Sequence, residues 1–99
     1  MNLIYSPRSV QDLEEIGAYY RSVAGPKIAD AIGKRIEQVI ERLARQPQIS
    51  PRVTRRSNVR VVLVLRYPYK IFYRVQNDAV EILHIRHTSR RPWSPQEGE

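Results

Sequence analysis

The chain has 99 residues, 41% of them hydrophobic and 27% charged, with 17 Lys and Arg against 10 Asp and Glu for a formal net charge of +7. One domain with one modest core fits that length, and no apolar run approaches the roughly 20 residues of a membrane span. The lack of cysteine excludes a disulfide framework and a thiolate metal site; with an N-terminus, MNLIYSPRS, that has no basic and apolar signal regions, it leads us to expect a cytoplasmic protein.

Residues 2–5, NLIY, read as a short strand. Ser6-Pro7 then reads as a helix start, because Ser can cap free backbone N–H groups and Pro is tolerated at the first helical position. Val10, Leu13, Ile16 and Tyr20 follow at spacings of three and four and share one helix face. Asp12, Glu14 and Glu15 fall in the early turns, where the helix dipole favours acids. Gly25-Pro26 breaks the pattern. A second helix is predicted from about Pro26 to Gln46, with Ile28, Ile32, Ile36, Val39, Ile40 and Leu43 as its apolar stripe and a charged opposite face. Pro47 ends it. The two helices make an antiparallel hairpin.

Residues 47–58 form a basic loop with Arg52, Arg55 and Arg56, long enough to suggest a purpose. Three strands follow. In the first, Val59, Val61, Leu63 and Leu65 share one face, and Arg60, Val62, Val64 and Arg66 the other. After Tyr67-Pro68, Tyr69, Ile71, Tyr73 and Val75 alternate with Lys70, Phe72, Arg74 and Gln76. Asn77-Asp78 is a hairpin turn. Val80–His87 is apolar on both faces over Ile82, Leu83 and Ile85, the mark of a central strand. The predicted fold is therefore α+β, a two-layer β-α-α-β-β-β domain with the helical hairpin on one face of a mainly antiparallel sheet. Tyr69, Ile71 and Tyr73 are expected on the helix side. Arg60, Arg66, Lys70, Phe72 and Arg74 are expected on the other, provided no bulge intervenes. The domain is expected to span 1–93, with a polar tail over 94–99.

Charge is uneven along this order. Residues 1–46 carry 7 Lys/Arg and 6 Asp/Glu, whereas 47–99 carry 10 and 4, and 14 of the 17 bases are Arg. Arg forks onto carboxylates and phosphates, so the implied partner is nucleic acid, a nucleic-acid machine or an acidic protein. His84 and His87 lie on one strand at opposite parities and do not by themselves make a metal site. His84 reads first as a satisfied sheet or core histidine and Tyr73 as a packed aromatic. His87, at the strand end beside Arg86 and Arg90, is the better functional candidate. Metal-independent RNA cleavage needs a base, an acid and cations around the phosphate. His87 with Arg60, Arg66 and Arg90 are the weak candidates for such a set. Tyr67, Tyr69, Phe72 and Trp93 interleave with Arg and could stack on bases or receive an apolar peptide.

The element order, the opening IYSPRSVQDLEEIGAYY, the strand RYPYKIFYRV and the ending ILHIRHTSRRPW together resemble the RelE/ParE superfamily of bacterial toxins over residues 2–93, closest to the ParE branch. The resemblance implies the toxin of a type II toxin–antitoxin system, without cofactor, held inactive in a hetero-oligomer by a cognate acidic antitoxin whose disordered C-terminal segment wraps it. ParE-type toxins are associated with DNA gyrase and RelE-type toxins with cutting mRNA on the ribosome. The second helix ends EQVIERLARQP, with two acids and no Lys, and His87 is followed by Thr88-Ser89 rather than an aromatic. Those departures from the nuclease pattern favour gyrase inhibition by binding over an endoribonuclease; a non-toxic, antitoxin-binding remnant is the third reading. The resemblance places toxicity on Arg86, His87, Arg90, Arg91 and Trp93. It places antitoxin contacts on Leu13, Ile16, Tyr20, Ile32, Ile36, Val39, Arg60 and Arg74.

Overall fold

In the computed structural model the described residues are 1–53 and 58–89. The expected toxicity residues Arg90, Arg91 and Trp93, the tail over 94–99, and Arg55 and Arg56 of the basic loop lie outside them. The elements are β1 (Asn2–Tyr5), α1 (Pro7–Ala24), α2 (Pro26–Arg45), β2 (Val59–Val64), β3 (Tyr69–Gln76) and β4 (Ala79–His87). The α+β layering and element order are those expected. No helix among the described residues is long and apolar enough to cross a membrane.

Ser6 caps α1 as its chemistry suggests, its side chain accepting from the Ser9 N–H, with Pro7 in the first turn. No acid falls in that first turn; Asp12, one turn further on, has a different task described below. Gly25 joins the helices with φ 90° and ψ 170°, a conformation open to glycine almost alone. In α2, Ile32, Ile36, Ile40 and Leu43 are buried, while Ile28 at the start of the stripe is 46% exposed.

The sheet runs β1-β4-β3-β2, so β4 is central. β1 pairs parallel to β4, and the other two pairings are antiparallel. Asn77, with φ 56°, turns the β3–β4 hairpin; Asn tolerates that left-handed conformation better than most residues. The core lies between α2 and one sheet face: the four α2 residues pack against Val64, Tyr69, Ile71, Tyr73, Val80, Ile82 and Ile85. Leu13, Ile16 and Tyr20 of α1 and Val39 of α2 are only partly buried against it.

One face assignment is corrected. Arg60 pairs with Tyr73, Val62 with Ile71 and Val64 with Tyr69, so Arg60, Val62 and Val64 belong to the helix side. Val59, Val61 and Leu63, paired with Arg74, Phe72 and Lys70, belong to the outer side. The segment VRVVLV is apolar at both parities, so alternation alone cannot orient it. Its register is set by the turn after Val64, where Arg66 takes φ 77°. Arg66 is thus an exposed turn residue rather than a strand residue. A bulge between Phe72 and Tyr73 shifts β4 by one residue and puts Leu83 with Phe72 and Val59 in a small outer cluster.

Candidate functional site

β1 stops after Tyr5, leaving the outer edge of β4 uncovered from Leu83 onward. The start of α1 closes it with side chains. Ser6 donates its N–H to the Ile82 carbonyl (3.0 Å) and its hydroxyl to the Leu83 carbonyl (2.8 Å). Asp12 Oδ2 accepts the Ile85 N–H at 2.9 Å. A carboxylate can therefore stand in for the missing strand, and Asp12 is buried with its burial compensated by these bonds.

The same Oδ2 lies 2.6 Å from His84 Nδ1. An ionised carboxylate only accepts, so Nδ1 carries the proton. On the other side of the ring, Arg86 Nη1 is 3.4 Å from Nε2. A guanidinium only donates, so Nε2 is an acceptor and the ring is neutral. The result is an ordered line from Asp12 through His84 to Arg86, joining α1 to the far end of β4. Phe72 stacks on His84 at 6.3 Å between ring centroids and an interplanar angle of 23°. His84 is thus the satisfied histidine its position suggested.

Beyond this line a cleft of about 360 Å³ opens between α1 and the end of β4. Arg8, Tyr19, Tyr69, Arg86, His87 and Ser89 are among its walls. Tyr69 meets His87 edge-on at 5.4 Å. His87 Nδ1 accepts the Ser89 N–H at 3.1 Å, with the Ser89 hydroxyl 2.7 Å away. That fixes the tautomer with the proton on Nε2, so His87 offers a donor there.

The structure gathers Arg86 and His87 from the expected set, with Tyr69 from the interleaved aromatics, and adds Arg8, Asp12 and Tyr19, which sequence reasoning missed. The usable signal was that Ser9 and Asp12 share the helix face of Ile16 and Tyr20; a carboxylate on an apolar stripe needs a buried partner. Arg60 is not brought to this end. It pairs with Tyr73, four residues along β3 from the Tyr69–His87 pair, or about 13 Å. Its guanidinium donates to the carbonyl of Ser50 in the loop after α2. Arg66 lies in the β2–β3 turn; the Thr88 N–H bonds the Pro68 carbonyl of that turn, so Arg66 and His87 share one end of the sheet. Arg74 pairs with Glu81 at 2.8 Å on the outer face. Ile32 and Ile36 are fully within the core, under α2. No group of three His, Cys, Asp or Glu able to hold a metal occurs among the described residues.

A second cavity, about 650 Å³, runs between the helices, with Val10, Leu13, Gly17, Ala29 and Gly33 on its walls and Glu14, Asp30, Lys34 and Glu37 beside them. Tyr5 also lines it. Its phenol is held above the ordinary value by burial first and then by Glu37 and Glu41.

A family model described as "ParE toxin of type II toxin-antitoxin system, parDE" matches residues 3–92. Among solved structures, the chain is similar to one described as "Chromosomal ParDE TA system from P. aeruginosa", with a TM-score of 0.80 and 24% identity, over 90% of this chain and 97% of that one. That likeness is one of fold. No curated protein matches.

Proposed function

We propose, since this chain belongs to the ParE toxin family of type II toxin–antitoxin systems, that it arrests growth by binding DNA gyrase and is neutralised by a cognate antitoxin. The target-binding surface is the end of β4, where Arg86 and His87 lead toward Arg90, Arg91 and Trp93. The antitoxin's acidic, disordered segment wraps the helical hairpin, using the groove between α1 and α2, to give a cytoplasmic hetero-oligomer.

The observation that favours binding over RNA cleavage is the separation of Arg60 from His87. Acid–base cleavage requires its proton-transfer group and phosphate-holding cations around one phosphorus, within hydrogen-bond reach of the reacting atoms. Arg60 instead springs from a backbone position about 13 Å down the sheet and donates its guanidinium to a loop carbonyl. Arg86 and His87 suit a protein or nucleic-acid surface better than they suit turnover.

The test is supercoiling of relaxed plasmid by purified gyrase with increasing toxin. Activity should fall with toxin and return when the antitoxin is added. Unchanged supercoiling at saturating toxin overturns the proposal. New 5′ ends in translated messages after induction would assign the chain to RNA cleavage instead, and unimpaired growth on expression of the chain alone would make it a non-toxic remnant.

A further inference from the structure

The cleft at the end of β4 has a charge pattern that selects its ligand. Its cations are Arg8 and Arg86, and its anions are Asp12 and Glu15. Asp12 is consumed internally by His84 and the Ile85 N–H, with Arg8 Nε at a looser 3.4 Å from its other oxygen. Arg86 is the opposite case. Its one hydrogen bond is the long one to His84, and its Nε is buried without a partner among the described residues. A buried guanidinium donor left unpaired is costly, by more than an ordinary hydrogen bond returns. His84 and Asp12 hold the group in place while leaving that donor unused. Beside it stand the Nε2–H of His87 and the rings of Tyr19 and Tyr69.

We propose that this cleft is a carboxylate site that takes one acidic side chain of a peptide, forked by Arg86, with the aliphatic stem lying along Tyr19 and Tyr69. The fork geometry of a guanidinium matches two carboxylate oxygens. A singly charged group fits a wall with two cations and two anions; a phosphate dianion would face Glu15 and Asp12 with excess charge. The antitoxin is the source of that peptide, a point that rests on the toxin reading above, whereas the carboxylate chemistry of the cleft does not.

Two experiments on the full chain separate these levels. In the first, sodium acetate, sodium phosphate and sodium chloride are titrated at matched ionic strength while the Arg86 Nε–H resonance is followed by NMR. Acetate should shift it at a concentration several-fold below that needed for phosphate, and chloride should leave it in place. Equal response to all three salts, or a preference for phosphate, overturns the site whatever the toxin does. In the second, each Asp and Glu of the antitoxin's wrapping segment is replaced by Asn or Gln and its affinity measured against the native chain and against Arg86→Gln and Arg86→Lys. One acid should lose about ten- to a hundredfold in affinity against the native chain and little against Arg86→Gln. Arg86→Lys, which keeps the charge and loses the fork, should recover only part of it. Additive losses for every acid, with no coupling to Arg86, overturn the antitoxin as the source even where the acetate result holds.

Discussion

Asp12 ties α1 to β4, because one oxygen serves both a ring nitrogen and a strand N–H. Asp12→Ala leaves two buried donors without an acceptor and should cost about 3 kcal/mol, read as a lower urea midpoint. Asp12→Asn separates the two oxygens. Its carbonyl oxygen can still accept from both the Ile85 N–H and His84 Nδ1, while its amide takes the place of the oxygen beside Arg8. It should therefore lower the urea midpoint by much less than Asp12→Ala; equal losses would mean that the shared oxygen is not what ties α1 to β4. Tyr73, with no exposure, donates its hydroxyl to the Pro47 carbonyl at 3.0 Å, so Tyr73→Phe should cost about 1 kcal/mol. Tyr5 gives a pH signature. Its raised phenol favours the neutral form in the folded state. That contribution is complete below the unfolded pKa and is lost as pH rises through the folded one, so Tyr5→Phe should flatten the alkaline fall in stability. Of this residue-scale detail the sequence showed the end members. Arg86 and His87 stood out because they cluster with bases at a strand end. Asp12 did not, because an acid near a helix start has a sufficient local explanation and its partner lies 72 positions away.

The helical hairpin turns on Gly25. A Cβ there would meet nothing within 4 Å, so the whole cost of Gly25→Ala is backbone strain at φ 90°, about 1–3 kcal/mol. Gly33 in the middle of α2 is the counterpart, with equal space and no positive φ. Gly33→Ala should stabilise the chain by up to about 1 kcal/mol in thermal unfolding. It also adds a methyl to the wall of the inter-helix groove, so the same substitution should weaken antitoxin binding. A variant that is more stable and binds as tightly would remove that groove from the interface. Helix α2 was legible because its isoleucines recur every four residues from Ile28 to Ile40 and nothing on the other face competes. β2 was not, because VRVVLV offers two apolar faces and its orientation depends on the register to β3, fixed by the turn at Arg66.

At the scale of the whole molecule, the net charge of +7 sets how a partner arrives. Association with an acidic antitoxin should be steered at long range, so raising salt from 0.15 to 1 M, where the screening length falls from about 8 to 3 Å, should slow association at least about tenfold while changing dissociation far less. Equal on-rates at the two salts would rule out steering. The sheet order adds a constraint of another kind. β1 occupies residues 2–5 and has a single neighbour, β4, which begins at residue 79. The ribosome thus begins β4, the pairing partner of β1 among the described strands, more than 70 residues after it has finished β1. At about 5–20 residues per second, the opening strand waits several seconds with no edge to join. The helical hairpin, local in sequence, needs no such delay. The inter-helix groove proposed for the antitoxin lies on that hairpin, so its helices are made before the end of β4. In a cell making both proteins, restraint can precede harm.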